Sequence, residues 1–195
     1  MNTSAKMIIV LTLIAILSGA VLSSWDKVTQ PRIAAFRQME LEKAIAEVLP
    51  PNDSVTVKNT ENFTFYVGHA EDKPAFVALQ AIGSGFQGKI VMMAGLNIDF
   101  SEITGLKILE QVETPGLGTK IVTDPSRKEN PTWFTDQFKS LIIQPEITYV
   151  KNAKPSKDSE IEAITGATIS SVAVVNILND TFQKARAEFA GKAQE

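Results

Sequence analysis

The chain has 195 residues, room for one ordinary domain, with 19 Lys+Arg against 22 Asp+Glu and a net charge of −3. That balance lacks the basic footprint of a nucleic-acid binder, and no nucleic-acid partner is expected. The absence of cysteine excludes disulfides and thiolate-held metal or iron–sulfur sites, and a single histidine, His69, leaves little for a His-based metal site or a Ser–His triad. No metal site and no catalytic side chain of its own is expected, so redox chemistry would need a bound organic cofactor.

Met7 to Trp25 carries no charge, and as a helix it spans roughly 28 Å, close to a bilayer's hydrocarbon thickness. All the acids lie beyond Trp25, itself placed where an interfacial aromatic belongs. The stretch reads as an uncleaved anchor in a lipid bilayer. The rival is a signal peptide, against which stand a one-lysine start, a long apolar run and no clean A-x-A site. The positive-inside rule, applied to Lys6 against Lys27, Arg32, Arg37 and Lys43, would leave the large domain in the cytoplasm. Long domains translocate largely regardless of such charges, so orientation stays open at this point.

After Pro31 the positions Ile33, Phe36, Leu41, Ala44, Ile45 and Val48 repeat at helical spacing, and Pro50-Pro51 ends the helix. It reads as a stalk or first helix. Val55–Lys58, Phe63–Val67 and Phe76–Ile82 follow as strands, the second by strict alternation of Phe63, Phe65 and Val67 with polar neighbours. Gly83–Gly88 is a turn; Lys89–Leu96 and Ile103–Leu109 are further strands. Glu113–Gly118 is an extended loop by its Pro and Gly content. Asn130-Pro131 opens a short helix with Trp133, Phe134, Phe138 and Leu141 on its apolar side. Ile147–Val150 is a strand, 151–159 a polar loop, and a last helix runs from about Ile169 to Ala190 with Gly191 as its stop. The expected class is α+β: one transmembrane helix, then one domain with a mostly antiparallel sheet flanked by helices. The expected division is 1–25 for tail and anchor, 26–52 for the stalk or first helix, and 53–195 for the domain.

The chemistry concentrates in 162–171, a strand end, a Gly-containing turn and a helix start crowded with hydroxyls. Unpaired N–H groups and the positive dipole end of a helix start can hold a phosphate. By local chemistry alone, capping the helix is the commoner job for Thr168 or Ser170.

Thr165-Gly166-Ala167-Thr168 followed by Ile169-Ser170 resembles the flavin-attachment motif of the FMN-binding domain family. Gly83-Ser84-Gly85-Phe86-Gln87-Gly88 resembles that family's glycine-rich segment, and Glu113-Thr114-Pro115-Gly116-Leu117-Gly118 its ETPGLG motif. The length and the single anchor are most similar to the G-type branch of Rnf electron-transport complexes. The C-type subunits of sodium-translocating NADH:quinone reductases and the systems that re-reduce a redox-sensing regulator share the motif and are the alternatives. Outside the redox class, the alternative is a cofactor-free, membrane-tethered assembly module.

The resemblance implies FMN linked covalently through its phosphate to Thr168, with Thr165, Gly166, Ala167, Ser170 and Ser171 around the attachment. It implies a flavin wall from Glu113, Thr114, Pro115, Gly116, Leu117 and Gly118 with free backbone N–H groups, and a place near the ring for Trp133, whose other reading is core packing. Gly83, Gly85 and Gly88 are read either as close approach to the cofactor or as a plain turn. The family has Asp where this chain has Glu162, which keeps the carboxylate. The implied partners are a separate flavin transferase and the other membrane and iron–sulfur subunits of an Rnf-type complex. The implied activity is that of an electron-transfer subunit in a translocase joining ferredoxin/NAD electron transfer to sodium or proton movement. The implied location is the cytoplasmic membrane, with the flavin domain on the periplasmic or outer side.

Overall fold

A computed structural model describes residues 2–191. The chain divides into two units, one up to Glu40 and one from Leu41 onward. Helix α1, Thr3–Val48, supplies all of the first unit's described structure and the opening turns of the second. Between Met7 and Trp25 its large side chains are exposed, and it is the one described helix long and apolar enough to cross a membrane. The sequence suggests a new helix after Pro31, but α1 runs through Pro31. Proline removes one N–H from the ladder. The Thr29 hydroxyl donates to the carbonyls of Trp25 and Asp26, beside the one that Pro31 deprives of its partner.

The second unit is built on a six-stranded meander in chain order, with every pairing antiparallel. Its strands are β1 (Ser54–Asn59), β2 (Thr64–Ala70), β3 (Lys73–Ser84), β4 (Lys89–Asn97), β5 (Glu102–Gln111) and β6 (Leu141–Ile142). A separate parallel pair joins β7 (Thr148–Val150) to β8 (Glu160–Glu162). A one-turn helix, α2 (Trp133–Asp136), precedes β6, and the chain closes on helix α3 (Thr168–Gly191). Helix α3 covers one face of the sheet through Val174, Val175, Leu178 and Phe182, against Phe65, Leu79, Met92 and Ile103. On the other face the last turns of α1 place Ala44, Ile45 and Val48 over Ala78 and Met93. Thr104 donates its hydroxyl to the Val48 carbonyl at 2.7 Å, satisfying one orphan acceptor at the end of α1. This two-sided cover explains the unbroken apolar run of β4: Met92 and Met93 point to opposite faces and both are fully buried.

Helix α2 is shorter than the apolar spacing suggests. Ser140 adopts a left-handed backbone (φ 58°), the chain turns there, and Leu141 enters β6. The proposed stop at Gly191 borders residues 192–195, which lie outside the described residues.

Candidate functional site

Three loops meet at the start of α3. The first is the turn after β3. Gly85 and Gly88 close it by a backbone bond of 2.6 Å. Its glycines make room for the protein itself. A Cβ on Gly83 would collide with Ile177 of α3, and one on Gly85 with Glu113 and Ile90. The close approach is therefore helix and carboxylate against strand.

The second is Glu113–Gly118, leading into a 3-10 turn at Gly118–Ile121. The expectation of free N–H groups along it is only partly met. The Gly116 N–H donates to the Thr119 hydroxyl at 3.0 Å and the Leu117 N–H to the Thr114 carbonyl at 3.2 Å. Pro115, Gly116 and Leu117 are exposed and Thr114 is half-buried, while Glu113 and Gly118 are buried.

The third is the turn from β8 into α3. The Ala167 N–H closes it onto the Ile164 carbonyl at 3.0 Å. Gly166 takes φ +82°, a left-handed backbone that suits glycine, with Leu117 the nearest atom to its missing Cβ at 3.8 Å. The loops are joined by Glu113. One carboxylate oxygen accepts the Ser170 hydroxyl at 2.6 Å, and the other accepts the Gln87 N–H at 3.1 Å.

The four hydroxyls around this turn differ. Ser171, fully buried, accepts the Ile164 N–H at 3.0 Å and donates to the Ala167 carbonyl at 3.1 Å. Ser170 donates to Glu113. Thr165, exposed, donates to the Asn152 side chain at 3.2 Å. Thr168, half-buried, makes no side-chain hydrogen bond among the described residues, so it does not cap the helix. The N–H groups of Thr168, Ile169 and Ser170 also meet no acceptor there.

Thr168 opens onto a groove of about 960 Å³ that follows α3. Ile82, Tyr149 and Ile169 give it an apolar lining; Ser84, Lys151 and Lys184 add polar groups. The Lys151 ammonium sits 5.8 Å from the Tyr149 ring centroid and forms no ion pair among the described residues. Sequence reasoning passes over Tyr149 and Lys151. Their signal is topological: β7 runs parallel to β8, and the Asn152–Thr165 contact brings the segment after β7 to the turn before α3. Trp133 lies elsewhere, buried in the core, edge-on to Phe134 and under the Arg127 guanidinium at 3.6 Å. It does not line the groove.

The fit to a flavin mononucleotide is good on these observations. Three unpaired N–H groups and a free ammonium suit a phosphate, an unbonded hydroxyl suits a phosphoester, and the groove volume lies in the range of small-molecule sites.

A family model described as FMN-binding domain matches residues 85–183. The chain is 30% identical over 183 residues to the G-type component of the ion-translocating oxidoreductase complex of Methanosarcina acetivorans, covering 89% of this chain and 90% of that one. It is 28% identical over 197 residues to the G-type component of the Na(+)-translocating ferredoxin:NAD(+) oxidoreductase complex of Acetobacterium woodii, covering 91% and 89%. Among solved structures it superposes on the C-type component of the Na(+)-translocating NADH-quinone reductase of Parabacteroides distasonis with a TM-score of 0.55 at 20% identity, over 76% of this chain and 82% of the other. That likeness is one of fold.

Proposed function

The chain belongs to the FMN-binding domain family, and we propose that it is the membrane-anchored, G-type electron-transfer component of an Rnf-type ion-translocating oxidoreductase, with FMN held by a phosphoester on Thr168. The reading assigns 1–25 to the anchoring end, 26–52 to the connecting helix and 53–195 to the flavin domain. It puts that domain on the periplasmic or outer side. The observation that carries the attachment site is subtraction. Of the four hydroxyls around the turn into α3, three have hydrogen-bond partners, the exposed Thr165 among them, and Thr168 has none among the described residues.

In this reading a flavin transferase supplies the group from FAD. The Thr168 oxygen bonds to the flavin-side phosphorus, the pyrophosphate bond breaks, and adenylate leaves. The threonine proton goes to the transferase, because among the described residues nothing beside Thr168 is a base strong enough to activate a hydroxyl. The N–H groups of α3 and the Lys151 ammonium then balance the phosphate charge. Ile82, Tyr149 and Ile169 offer apolar cover to the ring. The bound flavin supplies one- and two-electron redox chemistry. A covalent link fixes its position without reliance on affinity, which suits a relay between centres on other subunits. Those partners are the remaining membrane and iron–sulfur subunits of the complex.

Co-expression with a flavin transferase, followed by denaturing gel fluorescence and peptide mass spectrometry, tests the reading. The wild type should carry the FMN mass on the peptide containing Thr168. Thr168→Ala should fold and show no fluorescent band. A mass on Thr165 or Ser170, or a fluorescent Thr168→Ala, overturns the assignment. A wild type with no covalent flavin favours the assembly module.

A further inference from the structure

Glu113 is a carboxylate only 4% exposed, with no ion pair among the described residues. Burying a carboxyl group costs free energy unless hydrogen bonds compensate it. A carboxylate that merely ordered its own loop would bond N–H groups of residues 114–118. Glu113 bonds none of them. It spends both oxygens on other segments, the Gln87 N–H at 3.1 Å and the Ser170 hydroxyl at 2.6 Å.

Both partners donate, so the Ser170 hydroxyl proton points toward Glu113. Packing keeps the pair closed. A Cβ on Gly118 would lie 2.7 Å from the Glu113 carboxylate and 2.8 Å from the Ser170 hydroxyl.

Thr168 has no comparable hold of its own. It is half-buried and unbonded, so its direction is inherited from the helical turn it begins. That turn is gripped from two sides: Ser171 ties it to Ile164, and Ser170 ties it to Glu113.

We infer that Glu113 is a positioning residue for flavin attachment: its carboxylate grips the first turn of α3 through Ser170 and so sets how Thr168 meets the incoming phosphate. This rests on the reading that Thr168 carries the flavin. Without Glu113 the turn is held on one side only, and three of the family's motifs lose their common joint.

The test uses the full-length, detergent-solubilised chain as wild type, Glu113→Ala, Ser170→Ala, the double variant and Glu113→Gln. Hydrogen exchange at the Ser171–Val174 amides, the first of α3 that carry backbone bonds, is read without flavin. The initial rate of covalent loading is read with purified transferase and FAD, at a temperature where melting curves show every variant folded. Glu113→Ala should speed exchange at those amides and slow loading, each on the order of tenfold. Ser170→Ala should do the same, and the double variant no more than either single, because one bond is being removed twice. Glu113→Gln should recover most of the rate, since its amide still accepts from Gln87 and can donate to Ser170. Unchanged loading in folded Glu113→Ala, or additive effects in the double variant, overturns the inference. A wild type that takes no flavin on Thr168 overturns the parent reading instead.

Discussion

Gly118→Ala is the smallest perturbation that strikes the joint between the three loops. The added methyl would lie 2.7 Å from the Glu113 Cβ, 2.7 Å from its carboxylate and 2.8 Å from the Ser170 hydroxyl. All three distances are far below carbon contact, and both neighbours are buried, so neither can swing into solvent. The fold either overpacks, at about 1–3 kcal/mol, or parts the Ser170–Glu113 bond, at about 1.5–3 kcal/mol for a bond to a charged group. A loss of roughly 1–3 kcal/mol follows, which in a domain of this size lowers the melting temperature by about 2–12 °C. An ordinary domain survives that loss folded. Gly116→Ala is the control. It has no atom within 4 Å of the added carbon, and only its φ of +74° resists, at about 1–2 kcal/mol. Thermal melts followed by circular dichroism, with hydrogen exchange along α3, separate the two. Gly118→Ala should loosen the first turn of α3, and Gly116→Ala should not. A Gly118→Ala melting shift within about 1 °C of wild type, or equal loosening in both variants, would refute the packing argument.

Thr168→Ser keeps the hydroxyl and should accept flavin, whereas the isosteric Thr168→Val should not; gel fluorescence reads both. Lys151→Glu places a negative charge in the groove beside Thr168 and should slow loading most at low salt, with Lys151→Arg near wild type; equal rates at all ionic strengths would count against a phosphate role. Glu188 on α3 is held down to about 2 by the Thr60 side chain and then by the Asn62 N–H and side-chain amide. A depressed carboxyl contributes stability that is complete above its unfolded value of 4.5 and is lost as pH falls through about 2. Glu188→Gln should therefore melt with a weaker pH dependence than wild type between those values, and identical slopes would remove Glu188 from the acid response. Protease added to intact spheroplasts should digest the flavin domain; digestion only in inverted vesicles would reverse the proposed orientation.

The strands were legible because alternation reports a face. Phe65 and Val67 point to the core under α3 while Tyr66 turns to the opposite face, against the cluster under α1, and the pattern placed β2 within a residue or three of its ends. The run Lys89–Leu96 is legible as a strand, but not that it is buried on both sides or that α1 supplies one of them. Pro31 misled because a single proline costs an exposed helix one backbone bond, and α1 continues through it. Trp133 drew attention by its residue type, yet it packs edge-on to its neighbour Phe134 and under Arg127 of the preceding loop. The glycine-rich turn was visible, but its reason was not. The atoms that exclude a Cβ at Gly83 belong to Ile177, far along the chain. Tyr149 and Lys151 carried no local signal either, since the parallel pairing of β7 with β8 is what brings them into the groove that Thr168 lines.

The choice among hydroxyls shows where local pattern stops and the fold takes over. Read along the chain, Thr165, Thr168, Ser170 and Ser171 are chemically near-equal, and each is a reasonable helix cap. A hydroxyl in the core must find partners or cost stability, and Ser170 and Ser171 do find them, one on Glu113 and one on the turn's own backbone. A half-exposed hydroxyl has no such demand, because water serves it. The fold can therefore leave Thr168 unbonded at little cost, and the same exposure makes it reachable by a second protein carrying a phosphate donor. In the proposed attachment, selectivity for one oxygen then requires no recognition of threonine as such. It follows from engaging every competing hydroxyl, two of them out of reach, while the turn that bears the remaining one is gripped on both sides.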